Sequence, residues 1–257
     1  MHRLLRNLLL FTIAVLALLS GSGHATTSTA ADRVKAAIDY WRGTTSYTIA
    51  RMRIQRPDWS RESEFESWTE GDDKSLVRFT APAKDAGSAS LKVEQNMWSY
   101  APKINKVIKI PPSMMAQSWM GSDFSYNDLA KADNIVRHYT HTQIGESMHE
   151  GVPLAIIESV PHEGAPVVWG KEILHIRADH IIIMHEYYDQ DMKLVKRLDA
   201  RDIQEIGGKL FARLIRMSSL EESNKWTEVE HLEVEFDKKL PASLFTRSNL
   251  QNPRMRR

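Results

Sequence analysis

No cysteine occurs among the 257 residues. That absence excludes disulfides and a thiol nucleophile. It also excludes the lipid-bearing cysteine by which bacterial lipoproteins are anchored, so the hydrophobic core alone must hold the fold. Long apolar runs are equally scarce. The one candidate, Leu8 to Leu19, is broken only by Thr12 and spans 12 residues, whereas crossing a bilayer takes about 20. An excess of one charge is missing too. Setting aside residues 1–25 removes two arginines and no acid, which leaves 32 basic against 33 acidic residues. That balance gives no basis for nucleic-acid binding. No internal repeat and no Ser/Gly/Pro-rich linker interrupts the chain.

Sequence patterns of catalysis are absent as well. His-Glu occurs at 149–150, 162–163 and 185–186, but none continues to the second histidine of a zinc-protease helix. His138 and His141 are three apart, which on a strand puts them on opposite faces and argues against a shared metal. No Gly-x-Ser-x-Gly elbow occurs. Gly207-Gly208-Lys209 is not a phosphate loop, because Ile203 and Leu210 stand where Gly and Ser/Thr are needed. The reading is therefore a non-enzymatic protein with no cofactor and no metal.

What is present starts with export. His2, Arg3 and Arg6 precede the Leu8–Leu19 run, and the small residues Ser20 to Ala25 follow it. Basic, apolar and small segments in that order form a secretory signal, with cleavage expected after Ala25. Residues 26–257 are then expected as a single domain, released to the periplasm. The basic tail Arg254–Arg257 reads as a frayed terminus.

The mature chain opens with one helix. Thr29 and Asp32 have capping-box spacing, Val34, Ala37, Ile38 and Trp41 share a helical face, and Gly43 offers a stop. From residue 46 the period shortens to two. Strands are expected at 46–55, 61–70, 73–81, 88–94, 96–101 and 106–110. A second series is expected at 134–144, 152–160, 171–177, 181–188, 194–206, 210–220 and 227–236. In the last, Trp226, Leu232, Val234 and Phe236 share parity and define the buried face. This is a mainly β protein, a sandwich or curved antiparallel sheet, with a few helices.

The middle of the chain differs. Pro111-Pro112 ends the strand pattern, and Ser125 followed by Asp128 sets up a short helix. Between Trp98 and Tyr126 lie Trp98, Tyr100, Met114, Met115, Trp119, Met120, Phe124 and Tyr126. Methionine adapts its shape, so such a cluster suits a cavity for flexible alkyl chains. On composition alone it suits a core plug at one end of a β structure as well.

Three segments carry a resemblance. Trp98-Ser99-Tyr100-Ala101-Pro102 through Lys106-Val107 resembles a W-x-Y-x-P-x-x-x-R/K-V stretch of the outer-membrane lipoprotein-sorting proteins, relatives of the periplasmic lipoprotein carriers. Gly121-Ser122-Asp123-Phe124-Ser125-Tyr126-Asn127-Asp128-Leu129 is similar to their G-S/T-D-F-S-Y-x-D-L segment. Tyr187-Tyr188-Asp189 to Lys193-Leu194 is similar to their F/Y-Y-D-x-D-G-K-L hairpin, with Met192 where glycine is usual. The resemblance implies a strongly curved antiparallel sheet, an incomplete β-barrel, covered by helices over an apolar space for acyl chains. It implies a monomeric carrier of lipoprotein or lipid acyl chains, working beside an inner-membrane transporter. The eight residues between Trp98 and Tyr126 would line the lipid site. Pro112–Tyr126 would form a lid hinged at Gly121, and Val34, Ile38 and Trp41 a covering helix. Two other classes stay open on the residues alone: a lipid-free adaptor of an export or efflux transporter, and an enzyme acting on lipid or glycan through carboxylates.

Overall fold

A reciprocal cap starts the first helix, α1 (Ala30–Arg42): Asp32 N–H donates to Thr29 Oγ1 at 3.1 Å, and Thr29 N–H donates to Asp32 Oδ2 at 3.0 Å. Gly43, at φ 64°, ends it with N–H donated to Asp39 O. The computed structural model describes residues 28–130 and 133–253. The expected signal segment and cleavage point, and the basic tail, lie outside the described residues.

Thirteen strands follow: β1 (Thr45–Gln55), β2 (Ser60–Glu70), β3 (Lys74–Ala81), β4 (Ala89–Val93), β5 (Asn96–Ala101), β6 (Lys106–Lys109), β7 (Tyr139–His149), β8 (Val152–Pro161), β9 (Lys171–Arg177), β10 (Ile182–Tyr188), β11 (Leu194–Ile206), β12 (Lys209–Ser219) and β13 (Trp226–Phe236). They form one open, curved antiparallel sheet in the order β6-β5-β4-β3-β2-β1-β13-β12-β11-β10-β9-β8-β7. Two meanders are thus joined where the first strand pairs with the last, Ser46 opposite Phe236 and Gln55 opposite Trp226. Both free edges, β6 and β7, fall in the middle of the chain. The segment between them must travel from one edge of the sheet to the other. It carries two short helices, α2 (Tyr126–Ala130) and α3 (Asn134–His138).

Both faces of the first meander are covered. Its inner face carries Met52, Ile54, Phe65 and Phe79, on which the crossing segment lies. Its outer face carries Trp68, Leu76, Leu91 and Tyr100, packed under the C-terminal Ala242–Phe245 turn and α4 (Arg247–Gln251). Buried Arg78 fixes that C-terminal segment, donating to Leu250 O at 3.2 Å and Asn249 O at 2.6 Å. α1 covers the second meander, with Val34 and Ala37 packed on Tyr139, Ile157 and Leu174.

Two local expectations change. Residues 134–138 are helical although Ile135 and Val136 favour strands. The crossing must end there, and a helical turn drops Ile135 into the core beside Val34, so tertiary packing overrides propensity. In β13 a bulge leaves Leu232 as the extra residue, 41% exposed. The inner face is therefore Thr227, Val229 and His231 before the bulge and Val234 after it, while Leu232 turns outward.

Two measurements follow from these details. His231 is buried with Nδ1 2.9 Å from Ala212 O, and burial lowers its pKa from 6.5 to about 4. The unfolded chain binds the proton first, so this contribution is complete above pH 6.5 and is lost as pH falls toward 4. It amounts to about 3 kcal/mol. An NMR titration of the folded protein should leave His231 neutral at pH 5.5; a midpoint near 6.5 would contradict the assignment. Met192 occupies the left-handed region at φ 60° with its side chain 54% exposed. Met192→Gly relieves that backbone at little packing cost and should raise stability by about 0.5–1 kcal/mol in urea melts.

Candidate ligand cavity

The crossing segment is a clasp before it is a lid. Trp119 N–H donates to Phe124 O at 2.7 Å and Ser122 Oγ to Trp119 O at 2.6 Å, which closes a tight loop. Asp123 then ties this loop to the sheet. Its carboxylate accepts from Arg56 Nη1 at 3.0 Å and from Thr227 Oγ1 at 2.7 Å, while its own N–H donates back to Thr227. Arg56 also reaches Gly121 O at 2.8 Å, and Arg61 bonds Met120 O. Ser125 and Asp128 cap α2 reciprocally, and Asp128 also takes an ion pair from Lys196 at 2.7 Å. Gly121 has φ 76°, a conformation suited to glycine, but with its carbonyl held by Arg56 it is an anchor rather than a free hinge.

The eight aromatic and methionine positions part company here. Trp119 is 4% exposed, packs against Phe65 and Phe79, and donates Nε1–H to Ser90 Oγ at 3.0 Å. Met120, Phe124 and Tyr126 flank the same core. Met114 and Met115 pack with Met97 and Ile110 near the β6 edge. Trp98 and Tyr100 do not join them. They pair with Leu91 and Ala89, whose side chains face the C-terminal segment on the other side of the sheet. A two-residue period, read without the pairing register, does not reveal which face an aromatic takes.

Between α1, the crossing segment and the second meander lies an apolar cavity of about 230 Å³. Ile38 and Trp41 form its α1 wall and Phe124 its crossing wall. Val34 of the same helix is fully buried beneath them in the core. Leu198, Ile215 and Met217 supply the floor, and Ile135 adds to the lining beside Tyr139. One end is polar. Glu172, 5% exposed, lies 2.6 Å from His185 Nε2, and Tyr187 Oη lies 3.1 Å from His185 Nδ1. Tyr139 also hydrogen-bonds Glu172; burial first, and the carboxylate second, hold its phenol protonated far above the ordinary range. Burial, followed by Asp128 and Glu172, does the same to Tyr187. These groups act as hydrogen-bond donors, and a phenol held protonated is a poor nucleophile. The Lys196 ammonium caps this end, 4.7 Å from the Trp169 ring and 4.9 Å from the Tyr187 ring.

Most of the cavity floor escaped the sequence reading. His185 and Tyr187 share a strand face by their spacing of two, a signal that was available. Glu172, Leu198, Ile215 and Met217 come from three further strands and meet only through the sheet pairing.

A curved, open sheet of this kind, with a crossing segment on its inner face, is shared with proteins of known structure. The comparisons agree. A DUF1329 family protein from Desulfovibrio piger superimposes with a TM-score of 0.77 at 25% identity, over 87% of this chain and 100% of that one. A domain described as outer membrane lipoprotein-sorting, from Vibrio parahaemolyticus, gives 0.76 at 20% identity, over 86% and 98%. A LolA superfamily protein from Nitrosomonas europaea gives 0.71 at 18%, over 86% and 98%. The last two establish the fold. No curated protein matches the chain in sequence. A family model with the description "Uncharacterized protein" matches residues 71–252, and the chain belongs to that family.

The clasp gives a testable energetic statement. Trp119→Ala opens a hole between the crossing segment and β2–β3, and urea denaturation should show a loss of about 3–5 kcal/mol. Unchanged stability would mean that the segment is not docked there.

Proposed function

We propose that this chain is a periplasmic carrier that takes an acyl chain of a lipoprotein or lipid into the cavity beneath α1 and releases it toward the outer membrane. The observation that carries the reading is the cavity itself: apolar over most of its lining, roofed by Ile38, Trp41 and Phe124, and left unfilled by the protein. A packed core leaves few voids. A wetted acyl chain costs about 0.8 kcal/mol per methylene, which burial here removes.

Its volume of about 230 Å³ is below the roughly 300–1,000 Å³ of typical ligand sites. Uptake of a whole chain therefore requires a wall to move. The crossing segment is tied down by Asp123 and Arg56. Trp41 is the wall residue nearest to solvent: it is 38% exposed and rests on Phe211 by ring stacking at 4.5 Å, whereas Val34 and Ala37 of the same helix are buried and Arg42 is paired with Asp133. Displacement of the Trp41 ring is the opening motion of this carrier, and Pro112–Tyr126 is the fixed jamb.

The test is binding of a dansyl-labelled fatty acid to the purified mature protein, with native mass spectrometry for retained lipid. Wild type should bind. Leu198→Trp, which fills the floor, should weaken binding at least tenfold while the circular dichroism spectrum is kept. Failure of wild-type protein to bind the fatty acid, with no lipid retained from the periplasm, would remove the carrier reading.

A further inference from the structure

The inner face of the first meander changes polarity abruptly. Along β1 the inward positions are Ser46, Thr48, Ala50, Met52 and Ile54, so a hydroxyl-bearing end gives way to an apolar one. The pairing register extends the hydroxyl end sideways: Ser46 lies opposite Thr69, Thr48 opposite Ser67, and Thr69 opposite Ser75. Five hydroxyl groups on three strands therefore tile one patch. A patch that only had to pack would carry apolar side chains, as Ala50, Met52, Ile54, Phe65 and Phe79 do on the same face.

That patch is the floor of a second cavity of about 230 Å³. Ser46 and Thr69 satisfy each other at 2.7 Å. Among the described residues, the hydroxyls of Thr48, Ser67 and Ser75 have no protein hydrogen-bond partner. The volume is about eight times a water's share of the liquid, ~30 Å³, far more than one bridging water needs. Trp41 and Asp128 line this cavity and the apolar one alike. The two spaces are thus neighbours on either side of the Trp41 ring.

The charges around the second cavity decide what kind of head group suits it. Arg42 and Lys92 both approach Asp133, at 2.6 and 3.9 Å, and Lys74 is paired with Glu70. Arg42 and Lys92 share that one carboxylate and Lys74 has Glu70, while Asp72 and Asp128 also line the cavity, so a phosphate or sulfate would have to displace existing pairs and meet further negative charge. Hydroxyl groups, which both donate and accept, match a floor of serines and threonines without that cost.

We propose that the two cavities form one amphiphile site, in which an uncharged, hydroxyl-rich head of the glycosyl or glycerol type occupies the Ser/Thr-lined cavity while its chain lies in the apolar one. This deepens the carrier reading and rests on it for the position of the chain. Three added head-group hydrogen bonds should give roughly a tenfold preference over the same chain lacking the sugar, the equivalent of about 1.4 kcal/mol.

The experiment is titration of the purified mature protein with n-decyl β-D-glucopyranoside, 1-decanol and decyl sulfate, below their micellar concentrations, read by tryptophan fluorescence and native mass spectrometry. The expected result is glucoside binding about tenfold tighter than decanol. In the Thr48→Val/Ser67→Ala/Ser75→Ala variant the ratio should fall to about one with decanol affinity unchanged. Ser67→Ala alone, with a smaller drop, serves should the triple variant fail to fold. Equal binding of glucoside and decanol to wild type, or a preference that survives these changes, overturns the head-group proposal and leaves the carrier reading intact. Tightest binding of decyl sulfate overturns it in favour of an anionic head. No binding of any of the three overturns both.

Discussion

The pairing of β1 with β13 is the constraint from which the rest of this structure follows. Because the first and last strands meet in the middle of the sheet, both unpaired edges belong to the middle of the sequence. The chain must then pass from β6 to β7 across a face of the sheet. That forced crossing puts Trp119 on the inner core and Phe124 at the cavity wall. The clasp that secures it lands on the seam itself, since Asp123 joins Thr227 of β13 to Arg56, one residue beyond β1. The Arg56–Asp123 pair is nearly buried, at 12% and 5% exposure. A buried pair of this kind does little for net stability, yet losing one partner strands the other charge. What it does is fix where the crossing lies, and with it the shape of the space alongside.

Much of this was legible in the residues. The Thr29–Asp32 cap, the Gly43 stop and the alternation that marks the strands are local signals, and they recur in the structure with shifts of one or two residues at most ends. The strand expected to begin at 134 did not. Ile135 and Val136 carry β propensity, and only the packing of α3 against Val34 decides otherwise. The seam was invisible, because nothing near Ser46 announces Phe236. The Gly121–Leu129 motif lies in the crossing segment, and its serines and aspartates are the fastening of the loop. For the site, Trp98 and Tyr100 stand on strands whose inward face is set by register, and they look the other way.

The cavities also differ in how they treat polarity. Glu172, His185, Tyr187 and Tyr139 satisfy one another at the closed end of the apolar space, so they ask nothing of an entering chain. Among the described residues the hydroxyls of Thr48, Ser67 and Ser75 have no partner, and they are met by water or by something that replaces water. A single sheet face thus holds one polar cluster that is complete and another that is open, with Trp41 between the two spaces.

The seam also sets the order in which this protein can be made. Each meander can zip up from neighbouring hairpins, with short loops to close and little entropy lost at each step. Joining them brings together residues separated by almost the whole chain, the slowest kind of contact to form. Until β13 emerges, β1 has an unpaired edge and the crossing segment lacks half of its anchorage. A chain with this topology stays open to threading and to chaperones for as long as β13 is missing, and locks only once that strand has paired with β1.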